Sequence, residues 1–261
     1  MSDSRARVVS SFTIVKGALV DETYAVFRDW DFALSRRENL DRVKATNLVG
    51  AASANWALNV AKVLNRRFDP GGRDRTLVDL SKAGLALDAW RPLLLWHMTR
   101  DEFLVRDFLL HWLYPRYREG VFRLHSADVV PYLRGLSTRQ GIIWSGAWTE
   151  ATTERVATAL LRLATDFGLL AGRQAKEFVS YHLPEESFLY LLHAMAHGKP
   201  SARRIVEAED WRMYLMDAAD VERELLRLHQ FRRLHYEVAG SIAQLQLPHR
   251  SLADYVRELA R

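Results

Sequence analysis

Apolar residues recur along most of this 261-residue chain at the three- and four-residue spacing of amphipathic helices. "DETYAVFRDWDFALS" puts Tyr24, Phe27 and Leu34 near one face, and Asp21 and Glu22 favour a helix start there. "RENLDRVKA" reads as a short helix. "SANWALNVAKVLNRRF" reads as a longer one, with Ser53 as N-cap and a stripe of Trp56, Val60, Val63, Leu64 and Phe68. Proline and paired glycines in "DPGGRDR" end it. Further helices are predicted around Thr76–Ala83, Asp88–Met98, Arg100–Leu113 and Ser126–Leu136, with Pro115 and Gly120 separating the last two.

The pattern becomes mixed after the polar, glycine-containing "STRQGIIWSG", which is the best position for a domain junction. "WSGAWTEATTERVATALLRLATDFGLL" (Trp144 to Leu170) predicts a helix whose stripe is Val156, Leu160, Leu163, Ala164 and Phe167. Thr149 or Thr152 can cap its start and Gly168 its end, and Arg162 and Asp166 are spaced to pair. Its outward charges cancel, which suits a founding helix of a second domain better than a helix entering a DNA groove. Trp144 and Trp148 are expected to pack the junction. "KEFVSYHL" alternates as a strand with Val179, Tyr181 and Leu183 on one side. "EESFLYLLHAMAH", closed by Gly198 and Pro200, and "VERELLRLHQF" are helical. In "RLHYEVAGSIAQLQLP", Leu234, Tyr236 and Val238 face Leu245 and Leu247 across a Gly240-Ser241 turn, the pattern of a β-hairpin. "HRSLADYVRELA" is a closing helix. The expected fold is mainly α, in two domains. Residues 1–136 form a helical bundle with a helix-turn-helix-like pair, and residues 137–261 a helical domain with a small antiparallel sheet.

Composition narrows the class. Hydrophobic residues make up 49% and charged residues 26%, ordinary values for a globular chain. The absence of cysteine excludes disulfides and thiolate-bound zinc, and suits the cytoplasm. The start lacks the apolar core of a secretory signal. The strongest apolar runs, "RPLLLWHM" and "FLYLLHAMAH", fall short of the roughly 18 residues of a membrane helix. The reading is a soluble cytoplasmic protein with no membrane partner.

The net charge of +5 is unevenly placed. Residues 1–135 carry 21 Lys and Arg against 16 Asp and Glu, whereas the remainder carries 16 of each. Nucleic-acid phosphates reward such asymmetry through counterion release. The basic residues cluster between positions 36 and 75. Arg36, Arg37, Arg42 and Lys44 lie on one helix, Lys62, Arg66 and Arg67 on the next, and Arg73 and Arg75 in the loop after it. The short turn through Gly50 gives the pair its helix-turn-helix-like spacing, and Asn47, Ser53 and Asn55 could add hydrogen bonds. The bland alternative is a solvated face whose cations offset helix C-termini, which suits Arg66 and Arg67 well.

Other constellations are weaker. His193 and His197 share a helix face, with His182 and Glu186 possible third ligands, but Ala194 stands where a metalloprotease helix needs glutamate. Histidines in the core or at a helix end are the simpler account, so no metal and no cofactor is expected. Asp107 and His111, with Asp101 and His97 nearby, lack a nucleophile or a glycine-rich loop, and no phosphate-loop or dinucleotide fingerprint occurs. The eight tryptophans fall mostly on apolar stripes, where packing outweighs base stacking. The chain is therefore not expected to be an enzyme.

Several segments together resemble the BrxA family of accessory proteins of bacterial BREX phage-defence systems. They are "SFTIVKGALVDETYAVF", "RENL" leading into the basic helix pair, the Trp144–Leu170 stretch, and the terminal hairpin and helix. Gly17-Ala18-Leu19 to Glu22, and Trp148, Thr152 and Gly168-Leu169-Leu170, carry most of the likeness. The resemblance implies a non-enzymatic, mainly helical protein that binds double-stranded DNA, with part of its fold similar to NusB-type helical bundles. It supplies no catalytic residues. Two alternatives remain: an adaptor that assembles defence components through a tryptophan-rich surface, and a NusB-like RNA-binding protein.

Overall fold

The computed structural model describes residues 8–136, 138–139, 141–144, 146, 148–197, 201–240 and 242–261. Helices dominate it: α1 (Val20–Arg28), α2 (Arg36–Thr46), α3 (Ala54–Arg67), α4 (Arg75–Lys82) and α5 (Leu87–Thr99). There follow α6 (Phe103–Phe108), α7 (Tyr114–Arg118), α8 (Ser126–Leu136), α9 (Glu150–Asp166), α10 (Glu185–Ala196), α11 (Ala202–Val206), α12 (Ala218–Gln230) and α13 (Leu252–Leu259).

Several of these helices start on local sequence signals. Ser35 accepts the Glu38 N–H at 3.2 Å while Glu38 Oε2 accepts the Ser35 N–H at 2.7 Å, a capping box that starts α2. Ser53 caps α3 as expected, accepting the Trp56 N–H. Thr149, not Thr152, caps α9.

The helix expected over Arg100–Leu113 begins later, at Phe103, and does not stop before Pro115. Residues Leu109–Leu113 are π-helical and lead straight into α7, whose first turn holds Pro115. Proline is tolerated there, at the loss of one N–H donor, because the wider π turn gives its ring room. Gly120, at φ 70°, then ends the rod.

Strands are short. β1 (Val8–Val9) pairs in parallel with β2 (Ile143–Trp144), and β3 (Leu170–Ala171) pairs antiparallel with β4 (Glu177–Phe178). The longer strand expected through Val179, Tyr181 and Leu183 is not formed. Glu177 and Phe178 pair with β3, which offers just two residues before Gly172 turns the chain at φ 103°, while Lys176 bridges to Leu124 instead. The hairpin is present as β5 (His235–Ala239) and β6 (Ile242–Gln246), with Tyr236 opposite Leu245. Its alternation buries Leu234 and Tyr236 but leaves Val238 exposed near the tip. Ser241 of the expected turn, Gly198 and Pro200 after α10, and Ser137, Gln140 and Ser145 of the expected junction lie outside the described residues.

The stripe of α9 is fully buried, Val156 through Phe167. Trp144 and Trp148 pack on each other with ring centroids 4.7 Å apart. Asp166, spaced to pair with Arg162, accepts the Ala18 N–H at 3.2 Å and so ties α9 to the segment before α1. The two halves share one apolar cluster, which runs from Phe27 and Trp90 through Leu160 to Tyr190, Trp211 and Tyr236. Polar ties cross it as well: Ser187 donates to the Ala89 carbonyl at 2.6 Å, and Tyr214 to that of Pro92 at 2.9 Å. No helix among the described residues is long and apolar enough to cross a membrane.

Candidate nucleic-acid interface

Helices α2 and α3 pack side by side, joined through residues 47–53. Asn47, at φ 50°, ends α2 and holds the connection: its Oδ1 accepts the Ala51 N–H at 2.7 Å and its Nδ2 donates to the Ala51 carbonyl at 3.1 Å. Asn47 and Ser53, both candidates for contacts with nucleic acid, are thus occupied by the turn and the cap. Asn55 is exposed.

The nine basic residues separate into distinct surroundings. Arg36, Arg37, Lys44 and Lys62 line one groove of about 510 Å³ between α2 and α3, floored by Leu40, Leu58 and Ala61. Asp41 is the single carboxylate in that lining. It lies 2.5 Å from Lys44 Nζ and 3.8 Å from Arg37 Nε, so four cations face one anion. Lys44 and Arg37 lower the Asp41 carboxyl below its ordinary range, chiefly through the hydrogen bond from Lys44. Arg36 donates to the carbonyls of Asn65 and Phe68 at the C-terminal end of α3. Carbonyls satisfy the guanidinium without cancelling its charge, and they offset the negative end of the helix. Lys62 is exposed with no carboxylate partner among the described residues. Arg66, one turn further along α3, is exposed too, with its guanidinium 5.9 Å from the Phe12 ring centroid.

The other four lie elsewhere. Arg42 is held by Asp29 at 2.5 Å. Arg75 lies over the Phe32 ring at 4.1 Å and 3.7 Å from Asp79. Arg73 is bound by Asp101 and lies 3.6 Å from Asp74. Arg67 cannot belong to a surface: it is buried at 1% exposure. It donates to Glu102 and to the carbonyls of Thr13, Gly17 and Ala18. The adjacent Arg66 and Arg67 look equivalent in sequence, but successive helix positions point about 100° apart, so one faces water and the other the core.

The remaining polar constellations are each engaged by neighbouring side chains. Asp107 is engaged by Tyr132 at 2.6 Å and Arg139 at 3.0 Å, with His111 Nε2 at 3.9 Å. His193 stacks on Tyr255, ring centroids 5.1 Å apart, and no group of three His, Cys, Asp or Glu able to hold a metal occurs among the described residues. Sequence spacing puts His97 near Asp101, whereas its actual partner is Asp74, 23 positions away, at 2.6 Å. Nothing in the local pattern signals that pair, because it forms where α4 crosses α5.

A mainly helical chain with a basic groove between two of its helices is the class of protein that these features define. The BrxA family model matches residues 10–194, well over half of the chain, and the chain belongs to that family. It is therefore a protein associated with BREX phage defence. A comparison with curated proteins finds no match.

Proposed function

We propose that this protein is a non-enzymatic, cytoplasmic accessory component of its BREX system that binds double-stranded DNA through the α2–α3 groove. The observation that carries the reading is the convergence of Arg36, Arg37, Lys44 and Lys62 on one groove against Asp41 alone, with Arg66 exposed beside it. Such a surface recognises phosphates by charge. Base readout is minor, since Asn47 and Ser53 are committed to local structure and Asn55 alone of the three stays exposed. The other components of the defence system are its protein partners in this reading.

Gel-shift titration of duplex DNA at several salt concentrations tests the proposal. Affinity should fall steeply with added salt and vary little with sequence. Absence of binding at micromolar protein, or salt-independent binding, would overturn it. Competition with duplex RNA and single strands separates it from RNA binding, where duplex RNA would displace DNA.

A further inference from the structure

A second cleft, of about 570 Å³, opens on α4, α5, α10 and the segment leading into α13. Its size is that of a small-molecule site. The floor is an ordered chain of buried polar groups. Asp74 Oδ1 lies 2.6 Å from His97 Nδ1, His97 Nε2 lies 2.7 Å from the Tyr190 hydroxyl, and that hydroxyl lies 2.6 Å from Thr76 Oγ1. Asp74, His97 and Tyr190 are each at least 98% buried.

The proton positions follow from the chemistry of the groups. Burial opposes charge on Asp74, but the hydrogen bonds from His97 and, at 2.6 Å, from the Asp69 N–H hold its carboxyl below the usual range. A carboxylate only accepts, so His97 Nδ1 carries the proton donated to it. Burial pushes the imidazole below its ordinary value, so the ring is neutral and Nε2 must accept from Tyr190. The tyrosine oxygen in turn accepts from Thr76. Every hydroxyl proton therefore points inward, and the Thr76 oxygen keeps its lone pairs for the cleft, where it can accept from a ligand donor.

The walls carry the opposite character. Arg100 and Arg250 both line the cleft, are exposed, and form no salt bridge among the described residues, unlike Arg73, which Asp101 and Asp74 occupy; Asp74 and Asp101 attract Arg100 only at longer range. Trp96, half-buried, supplies a flat apolar wall. An acceptor fixed on the floor, two guanidiniums without a salt bridge at the rim and an aromatic wall define one kind of ligand. We propose that the cleft binds a small phosphorylated sugar or nucleotide, with its phosphate on Arg100 and Arg250 and a hydroxyl donating to Thr76. Arg250 comes from the segment beyond the part of the chain that the family model matches. The cleft is distinct from the α2–α3 groove, with which it shares no lining residue.

Calorimetric titration of the full chain with AMP, ribose 5-phosphate and inorganic phosphate tests this. Saturable binding of AMP and ribose 5-phosphate is expected, with inorganic phosphate at least about tenfold weaker because it lacks the hydroxyl contact. Arg100→Gln and Arg250→Gln, both at exposed positions that leave the core intact, should each weaken ribose 5-phosphate by about tenfold or more. Thr76→Val should weaken it without affecting inorganic phosphate. Duplex DNA affinity should be unchanged in Arg100→Gln, and ribose 5-phosphate affinity unchanged when Arg37 and Lys62 are reversed to Glu. No saturable binding at millimolar ligand, binding indifferent to both arginine substitutions, or inorganic phosphate binding as tightly as the sugar phosphate would each overturn the proposal. So would loss of DNA binding in Arg100→Gln, which would make the cleft part of the DNA surface.

Discussion

Arg67 Nε lies 3.2 Å from Glu102 Oε1, and the guanidinium is closed off from solvent entirely, with Glu102 nearly so. The pair joins the end of α3 to the start of α6, and the remaining Arg67 donors gather the carbonyls of Thr13, Gly17 and Ala18, each at 3.0 Å. One side chain thus fixes the turn that precedes α1. Burying an ion pair need not stabilise a protein, but removing one partner leaves the other charged and unpaired. Arg67→Met should cost about 3–5 kcal/mol of folding stability. Denaturant unfolding would read this, and an unchanged midpoint would contradict the role given to Arg67.

Reversing Arg37 and Lys62 to Glu should weaken duplex DNA binding to a similar extent for unrelated sequences. The slope of log affinity against log salt should also shrink, by about one for every phosphate that is no longer neutralised. Both side chains are exposed, so the melting temperature should hardly move. A sequence-dependent drop in affinity would point to base contacts instead.

The capping box of α2 positions three of the groove cations. Ser35→Ala removes the acceptor for the Glu38 N–H and should destabilise the protein by about 1 kcal/mol. Ser35→Asp, which keeps an acceptor and adds charge at the helix N-terminus, should restore most of that stability. Thermal unfolding of the two variants side by side is the check.

Acid should destabilise the fold through His193. Burial, helped by His249, pushes its imidazole from an ordinary 6.5 down to about 4. The unfolded chain therefore takes up the proton first, and stability falls as pH drops from about 6.5 to about 4. The decrease should be on the order of 3 kcal/mol. In His193→Phe, which retains a ring against Tyr255, unfolding free energy should depend less on pH across that window. Equal slopes in the two proteins would remove His193 as the cause.

The groove was partly legible in the sequence. Its cations stand out as a basic run on two adjacent helices, and the caps Ser35 and Ser53 are local signals that survive in the fold. Which cations share a surface was not legible, because Arg42, Arg73 and Arg75 find carboxylates or rings supplied by other elements: Asp29, Asp101 and Phe32.

Helix periodicity, caps and turn residues are set by neighbours within a few positions, so the sequence by itself determined the mainly α character, most of the helices and the terminal hairpin. It also carried the family likeness. Partners distant in the chain are chosen only when elements pack. The tertiary structure therefore decided that Arg67 belongs to the core, that Asp74 rather than Asp101 holds His97, and that one apolar cluster spans both halves. The physical reason is that a buried charge or polar group takes whichever partner packing brings within hydrogen-bond reach, and no local spacing encodes that choice.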